Sequence, residues 1–364
     1  MAAQSTLPRR KLGNSGLQPT VVALGTAPLA GLFTDVEPAE AVATIQRAWD
    51  AGIRTFDTAP YYGFGKGEHY LGAALREILR NASRDDFILS TKAGRLLKPI
   101  PPRGPLSLPP GLVHGAAQSW ANPLDFDCVY DYSYDGIMRS YDDSLQRLGL
   151  SSIDILLIHD IGRMTHHSQH RQHWQALVEG GFKALRQLRD SGAVKAIGLG
   201  VNEAQPIIEA LEEIDLDCAL LAGRFTLLEQ ESALELLKVC EQRNLALLVG
   251  GVFNSGILAC SRDDLETKGH YNYQKASPEI IEKCKQIHDL AEGIDLDPKS
   301  LALLFPLTSP QVATVVIGAR SVQELKQNIA AMTVTIDRQL WKSIIQNLGI
   351  PVNLPRVIPT KIGL

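Results

Sequence analysis

Short runs of apolar residues alternate along the chain with longer segments in which apolar residues recur every three or four positions. The first run covers residues 21–25 and the last covers residues 312–317. Apolar runs of this length are typical of strands that are buried on both faces, and the longer spacing is typical of amphipathic helices. Because the two patterns follow each other in order, the sequence predicts a parallel sheet whose strands are joined by helices.

Eight such runs predict an α/β protein of the (β/α)8 TIM-barrel class. The strands are expected near Val21, Ile53, Phe87, Ile153, Val194, Cys218, Leu245 and Val312. The helices are expected over residues 38–50, 71–80, 136–148, 174–190, 204–213, 231–242 and 321–330. We interpret residues 1–364 as one domain, with the barrel core at about 12–331 and a C-terminal helix and tail at 332–364.

Three segments depart from this alternation. Residues 12–17 are interpreted as the turn of a short N-terminal hairpin that closes the bottom of the barrel. Residues 97–120 and 250–278 are long loops that follow strands, and long loops at the carboxyl ends of barrel strands usually carry function. We expect the first loop, with Phe33 and Trp120, to shape a substrate pocket, and the second to fold over a cofactor.

Composition narrows the class of partner. The 364 residues carry a formal net charge of −4 and no long run of Lys or Arg, which argues against nucleic acid and anionic membrane as partners. A small-molecule substrate is expected, bound by a monomer or a weak homo-oligomer. No segment has the length of apolar sequence that a membrane span or a secretory leader needs, so we expect a soluble, cytoplasmic protein. The 5 cysteines have no CxxC spacing and are expected to be reduced thiols, with no metal site.

Four polar side chains follow three of the predicted strands. Asp57 and Tyr62 follow the second strand, Lys92 ends the third, and His159 ends the fourth. Tyr62 is the expected proton donor or acceptor, but lowering its pKa from about 10 by about 3 units requires about 4 kcal/mol. We expect the Lys92 ammonium to supply this stabilisation, Asp57 to hold that ammonium, and His159 to bind the substrate oxygen.

The stretches around these residues resemble the aldo-keto reductase superfamily. They are DTAPYYG at 57–63, STK at 90–92, LLIHD at 156–160 and IGARSVQELKQN at 317–328. Further stretches, at 131–149 and 196–202, are similar to the branch of D-threo-aldose (L-fucose or L-galactose) 1-dehydrogenases. The resemblance implies a catalytic tetrad of Asp57, Tyr62, Lys92 and His159. It also implies oxidation of the anomeric hydroxyl of a free aldose to a lactone, with transfer of a hydride to NAD+.

The cofactor is expected at the last strand. Gly318, Ala319 and Arg320 lead into a helix that continues through Asn328, and a helix N-terminus can bind a phosphate. Relatives that use NADPH hold its 2′-phosphate with a Lys and an Arg, and the resemblance aligns those positions with Gly318 and Glu324. A carboxylate suits a ribose hydroxyl and repels a phosphate, so we favour NAD. NADP stays possible because Arg320 could hold a phosphate.

The remaining cofactor contacts rest on the resemblance alone. They are placed at Gly25, Thr26, Gly251 and Phe253, and Asn202 is expected to bind the nicotinamide carboxamide. Phe225 is the candidate for stacking on the nicotinamide ring, with a place in the core as the alternative.

Several alternatives stay open. An aldehyde such as pyridoxal could be the substrate of the same chemistry, and the enzyme could reduce a carbonyl rather than oxidise an alcohol. Lys92 could instead form an imine in a Schiff-base lyase, or the barrel could be a non-catalytic regulator that binds a nucleotide. His166, His167, His170 and His173 are interpreted as a solvated or substrate-loop segment rather than a metal site.

Overall fold

Eight parallel strands form a closed barrel in the computed structural model, which describes residues 7–99 and 120–351. The barrel strands are β1 (Val22–Gly25), β2 (Thr55–Asp57), β3 (Ile88–Ala93), β6 (Ile155–His159), β7 (Ala196–Val201), β8 (Cys218–Ala222), β9 (Ala246–Gly250) and β12 (Val312–Gly318). The other strands are β4 (Arg95–Pro99), β5 (Phe126–Tyr130), β10 (His270–Tyr271) and β11 (Gln274–Lys275). The predicted TIM barrel and all eight predicted barrel strands are confirmed.

The order of the strands around the barrel determines which side chains meet. The order is β1-β12-β9-β8-β7-β6-β3-β2, and all the pairs are parallel. The carboxyl ends of all eight strands therefore open on one face, which we call the mouth. The three strands that carry Asp57, Lys92 and His159 at or near their carboxyl ends are neighbours, and β7, which leads to Asn202, lies beside the His159 strand.

Helices cover the outside of the barrel. The helices of at least six residues are Pro38–Asp50, Lys66–Ile78, Tyr134–Leu148, His170–Ala176, Phe182–Asp190, Gln205–Ala210, Leu234–Arg243, Pro278–Gly293, Pro298–Leu304, Val322–Ala331 and Arg338–Asn347. Shorter helices are Arg163–His166 and Leu265–Lys268. All seven predicted helices are present, although Gln205–Ala210 is shorter than expected. A π-helical turn, Leu177–Gly181, lies inside the helix predicted at 174–190.

The N-terminal segment closes the bottom of the barrel, as predicted. The backbone N–H of Leu12 donates to the Leu17 carbonyl at 2.9 Å, which closes the turn. Both side chains pack against the barrel interior beside Leu157 and Leu248. The expected hairpin strands are reduced to one antiparallel bridge between Arg9 and Thr20.

Two antiparallel hairpins rise from the mouth. The β4-β5 hairpin follows β3 directly, so residues 95–99 form a strand where a loop was expected from residue 97. The rest of that predicted loop, residues 100–119, lies outside the described residues, as does the end of the predicted tail, residues 352–364. The smaller β10-β11 hairpin lies within the predicted cofactor loop after β9.

A search of the described ranges for a helix of sufficient length and apolarity to cross a membrane finds none.

Candidate active site

Asp57 and Lys92 form a buried ion pair at the base of the mouth. Lys92 Nζ lies 2.7 Å from Asp57 Oδ2, and the two side chains are 1% and 3% exposed. The ammonium also donates to the Thr58 carbonyl at 2.9 Å, and the Ser90 hydroxyl donates to Asp57 Oδ1 at 2.9 Å. Burial alone would lower the pKa of Lys92. Asp57 and Tyr62 raise that pKa by more than burial lowers it, so it lies above the ordinary value. The lysine is therefore a fixed, charged ammonium.

Tyr62 lies directly over this ammonium. After β2 the chain enters a 3-10 turn, Tyr62–Gly65, in which Gly63 has a φ of 60°. A Cβ at Gly63 would collide with the Ala30 carbonyl oxygen, so the tight approach that orients Tyr62 requires glycine. Lys92 Nζ lies 4.7 Å from the centre of the Tyr62 ring.

The pKa of Tyr62 does not fall as the sequence analysis expected. Burial raises the pKa of the phenol, and Asp57 raises it too, while Lys92 lowers it; the net shift is upward. Lys92 therefore acts in the expected direction, but desolvation outweighs it. The phenol is set to be protonated at neutral pH, with a cation beside it that stabilises the anion when the proton leaves.

His159 completes the predicted group. Its ring lies 5.9 Å from the Tyr62 ring and is nearly perpendicular to it. Burial, Arg95 and Lys92 hold the pKa of His159 well below its usual range, so the imidazole is neutral. The structure thus brings together the four side chains that the sequence analysis chose. A phenol, an ammonium and a neutral imidazole can together move a proton to or from a substrate oxygen.

An ion pair that the sequence analysis missed lies beside His159. Arg95 Nη2 donates to Asp160 Oδ2, and both side chains are largely buried. The guanidinium carbon lies 4.0 Å from the centre of the Tyr61 ring and 5.0 Å from that of Tyr130. Burial raises the pKa of Asp160 more than Arg95 and Lys92 lower it. The sequence carried one hint, because Asp160 directly follows His159.

Aromatic side chains line the mouth above these residues. The Trp120 ring lies 5.4 Å from the Tyr61 ring and 5.9 Å from the Tyr62 ring. Phe33 and Tyr273 reach the mouth from the loops after β1 and β9, and their rings are 6.1 Å apart. The large apolar side chains that are exposed within the described ranges are Phe33, Met164 and Tyr273.

The N-terminus of the helix Val322–Ala331 is already occupied by carboxylates of the chain. Glu324 accepts the backbone N–H of Arg320 at 2.8 Å and also binds its guanidinium, with Nε to Oε1 at 2.9 Å. Glu40, from the helix Pro38–Asp50, accepts the backbone N–H of Val322 at 2.8 Å. The sequence predicts N–H groups available to a phosphate at this helix end, and in the structure carboxylates accept the backbone N–H groups of Arg320 and Val322.

The structure supplies internal partners for several predicted cofactor residues. The Thr26 hydroxyl donates to the Thr58 hydroxyl at 2.8 Å, and the Asn328 amide donates to the Gly318 carbonyl at 3.0 Å. Both side chains are buried, as are Gly25 and Ala319. Thr26 and Asn328 thus hold the strand ends in place, whereas Gly318 is half-buried at the mouth.

Phe225 takes the alternative that the sequence left open, a place in the core, and Asn202 lies at the mouth directly after β7. Phe225 is fully buried and its ring packs 5.3 Å from Phe305, so it belongs to the core. Its neighbour Arg224 reaches the mouth instead, where its Nε donates to the Asn202 carbonyl at 2.9 Å. The Asn202 side chain is half-buried, and its Nδ2 donates to Asp160 Oδ1 at 3.3 Å.

The residues after β9 fit a cofactor on this side of the mouth. Gly251 is exposed with a φ of 63°, and Phe253 is half-buried. They follow β9, Asn202 follows β7, and Gly318 ends β12; these three strands, with β8, form one continuous half of the barrel. Accessible amide, carboxylate and backbone groups along this half suit a dinucleotide with ribose hydroxyls.

The histidine segment is not solvated throughout. His166 and His170 are buried, His173 is half-buried and only His167 is exposed. The Tyr132 hydroxyl lies 2.9 Å from His166 Nε2, and burial together with His173 and Arg95 lowers the pKa of His166 to about 3. A search of the residues that the structure describes finds no group of three potential ligands that could bind a metal ion.

Known proteins resemble this chain over most of its length. The model of the Aldo/keto reductase family matches residues 21–347. The chain is 45% identical to a pyridoxal 4-dehydrogenase of Microbacterium luteolum, covering 92% of this chain and 96% of the relative. It is 36% identical to a D-threo-aldose 1-dehydrogenase of a Pseudomonas species, covering 93% and 96%.

Solved structures agree on the fold. An aldo-keto reductase from Bacillus halodurans superposes with a TM-score of 0.71 at 22% identity, over 94% of this chain and 96% of that one. The glycerol dehydrogenase of Gluconobacter oxydans superposes with a TM-score of 0.70 at 21% identity, over the whole of both chains.

Proposed function

Because this chain belongs to the aldo/keto reductase family, whose members are oxidoreductases with nicotinamide cofactors, we propose that it oxidises the hemiacetal hydroxyl of a small hydroxyaldehyde to a lactone. The observation that carries the proposal is the buried Asp57–Lys92 pair beneath Tyr62, with the neutral His159 beside it. Proton transfer at an alcohol oxygen is what this arrangement suits.

The residues divide the chemistry between them. The carbinol carbon of the hemiacetal loses a hydride, its hydroxyl loses a proton, and a C=O double bond forms. Bound NAD+ would supply the hydride acceptor, at C4 of its nicotinamide ring. Tyr62 takes the proton in its phenolate form, which is the minor form at neutral pH and is stabilised by Lys92, and His159 donates a hydrogen bond to the substrate oxygen. Asp57 keeps the Lys92 ammonium charged and in place.

The two named relatives share a substrate chemistry. A free aldose and pyridoxal are both aldehydes with a hydroxyl group that can close on the carbonyl to form a cyclic hemiacetal. Oxidation of either hemiacetal at the former aldehyde carbon gives a lactone and needs no other catalytic group. This common step supports a hemiacetal dehydrogenase as the function, in which the aldose is one candidate substrate.

A pyridoxal-type aldehyde is the second candidate, and two observations favour it. The relative named for it has the higher identity of the two. Tyr61 and Tyr62 both pack edge-to-face with His159, and Trp120 lies against both tyrosines, so this side of the mouth is lined by aromatic rings that suit a flat pyridine ring.

NAD+ is proposed in preference to NADP+. Glu324 and Glu40 place two carboxylates at the helix N-terminus where the resemblance locates the adenosine ribose. The Arg320 guanidinium, which could have bound a 2′-phosphate, is neutralised by Glu324. Carboxylates accept hydrogen bonds from ribose hydroxyls and repel a phosphate.

The lyase alternative has weak support. An imine-forming lysine must be neutral and accessible, whereas Lys92 is 1% exposed, is paired with Asp57 and has a raised pKa.

The test is a substrate panel read by NADH absorbance, with pyridoxal, L-fucose, L-galactose and D-arabinose, each with NAD+ and with NADP+. We expect turnover of at least one hydroxyaldehyde with NAD+, and formation of its lactone. NAD+ binding without turnover on a broad panel would instead support the non-catalytic regulator. Trapping of a substrate on Lys92 by borohydride without any nicotinamide would support the lyase.

A further inference from the structure

Asp160 stands where the two halves of the mouth meet. The Asp57, Lys92 and His159 strands are β2, β3 and β6, whereas the half proposed to hold the cofactor begins at β7. Strands β6 and β7 are paired, with His159 opposite Gly200. Asp160 directly follows His159 and Asn202 follows β7, so their side chains lie across the boundary.

The two oxygens of the Asp160 carboxylate serve different halves. Oδ2 accepts from Arg95 and lies 3.4 Å from His159 Nε2. Oδ1 accepts from Asn202 Nδ2 at 3.3 Å. One carboxylate therefore contacts the imidazole proposed for the substrate side and the amide proposed for the cofactor side.

The backbone of Asp160 is also unusual. Its φ is 50°, in the left-handed region that residues other than glycine seldom adopt. Its N–H donates to the Gly200 carbonyl at 2.9 Å, which ties the turn to β7. Such backbone conformations persist where surrounding contacts over-determine them, and they cluster at functional sites.

We propose that Asp160 is a positioning residue that holds the His159 imidazole and the Asn202 amide in fixed orientations, with Arg95 neutralising its charge. The proposal rests on the function proposed above, since it assigns Asp160 to the same mouth. It adds a link between the two halves that the four tetrad residues do not provide.

Both orientations follow from hydrogen-bond chemistry. A carboxylate oxygen beside Nε2 favours the tautomer with hydrogen on Nε2, and His159 Nδ1 is buried without a partner. Because Asn202 donates its Nδ2 to Asp160, its Oδ1 remains as the acceptor for a carboxamide N–H. Asp160 thereby keeps the hydrogen of the neutral imidazole on Nε2, the nitrogen proposed to donate to the substrate oxygen, and leaves Asn202 Oδ1 free for the carboxamide.

Arg95 is needed because an unpaired Asp160 carboxylate would favour the charged form of His159. A carboxylate next to an imidazole stabilises the imidazolium and would raise the pKa of His159. Within residues 7–99 and 120–351, the titratable and charged groups that face His159 are Tyr61, Tyr62, Lys92, Arg95 and Asp160. Arg95 and Lys92 both lower the pKa of His159. The Arg95–Asp160 pair therefore offers a hydrogen-bond acceptor to His159 while the net charge of the pair stays near zero.

The chain contains a matched control for Asp160. Asp154 lies directly before strand β6, and Asp160 lies directly after it. Asp154 is also buried and paired with an arginine, with Arg84 Nη2 at 2.6 Å from its Oδ2. Asp154 lies at the opposite end of the barrel from the mouth, so its loss should affect stability without changing the site.

The first test is the affinity for NAD+, measured by titration calorimetry without substrate. Asp160→Asn is expected to raise the Kd for NAD+ by about tenfold, because Asn202 loses one hydrogen bond to a charged group. Asp154→Asn is expected to leave that Kd unchanged. Equal Kd values for both variants would overturn the link to Asn202. Thermal unfolding of both variants shows whether they are folded.

The second test follows the His159 imidazole by NMR of histidine-labelled protein, with the signal assigned by its loss in His159→Asn. Arg95→Met is expected to raise the pKa of His159, whereas Arg95→Lys, which keeps the charge, should leave it low. An unchanged titration in Arg95→Met would overturn the role of Arg95. Neither test requires turnover, so a failed substrate panel and a failed positioning role can be told apart.

Discussion

Lys92 Nζ lies 2.7 Å from Asp57 Oδ2, and both side chains are almost completely shielded from water. The two residues come from adjacent strands of a closed barrel, which leaves little freedom to separate them. A charge held this rigidly beneath a phenol is a preorganised stabiliser of phenolate, since it needs no rearrangement when the proton moves.

Replacing Tyr62 by Phe tests the proposed proton acceptor. The variant keeps the ring but loses the hydroxyl, so kcat on the best hydroxyaldehyde should fall by about 10²–10⁴-fold. The Kd for NAD+ should change little, because the phenol is proposed to act on the substrate. A variant that retained most of its kcat would remove Tyr62 from the mechanism.

Replacing Asp57 by Asn should strongly destabilise the fold. The Lys92 ammonium would be left buried without its counter-ion, which costs about 3–5 kcal/mol in the free energy of unfolding. Because the pKa of Lys92 is raised in the folded state above its ordinary value of 10.5, the pair stabilises the protein fully below that pH, and the contribution is lost as pH rises further.

Urea denaturation at neutral pH measures that loss. Asp143→Asn is the control, because Asp143 forms an exposed helical pair with Arg139 at 3.5 Å and should change stability by about 1 kcal/mol or less. Similar losses in the two variants would show that the buried pair is not a special contributor.

Acid should destabilise the protein through its buried histidines. The pKa of His166 is lowered from 6.5 to about 3, and that of His159 is also lowered. The unfolded chain therefore binds these protons first, so stability is full above pH 6.5 and falls as pH drops towards 3. His166→Gln should flatten the dependence of the urea midpoint on pH, whereas His167→Gln, at an exposed position, should not.

Removing the carboxylates at the helix N-terminus should relax the discrimination against NADP+. Glu324→Gln frees the Arg320 guanidinium, and Glu40→Gln removes the second anion, so each should lower the Kd for NADP+ by about tenfold or more. Glu279→Gln, at an exposed position on another helix, is the control. An unchanged ratio of NAD+ to NADP+ affinity would contradict the proposed basis of the preference.

The sequence predicts the residues of this site that lie at strand ends, but not the contacts between residues that are far apart in the chain. Asp57, Lys92 and His159 could be chosen because parallel strands bring their carboxyl ends to one face. The contact of Glu40 with Val322 spans 282 positions and depends on the packing of two helices, which no local pattern reveals.

The turns at the mouth were less predictable than the strands. Asp160 faces Arg95 only because its backbone is left-handed and because β4 continues from β3, and neither feature has a clear sequence signature. Phe225 could face either way because its orientation is decided by a loop rather than by strand alternation. The helix Pro278–Gly293 did have a signal, since Ser277 caps it by accepting the Ile280 N–H, and the sequence analysis overlooked it.

Leu12 and Leu17 have a consequence for the kinetics of the proposed reaction. Their packing beneath Leu157 and Leu248 closes the lower end of the barrel, so both ligands would share the upper opening as entrance and exit. The molecule that lies deeper must then arrive first and depart last. Steady-state kinetics should therefore show a compulsory order of binding and release. The product that is released last should inhibit competitively against the ligand that binds first, and not against the second ligand.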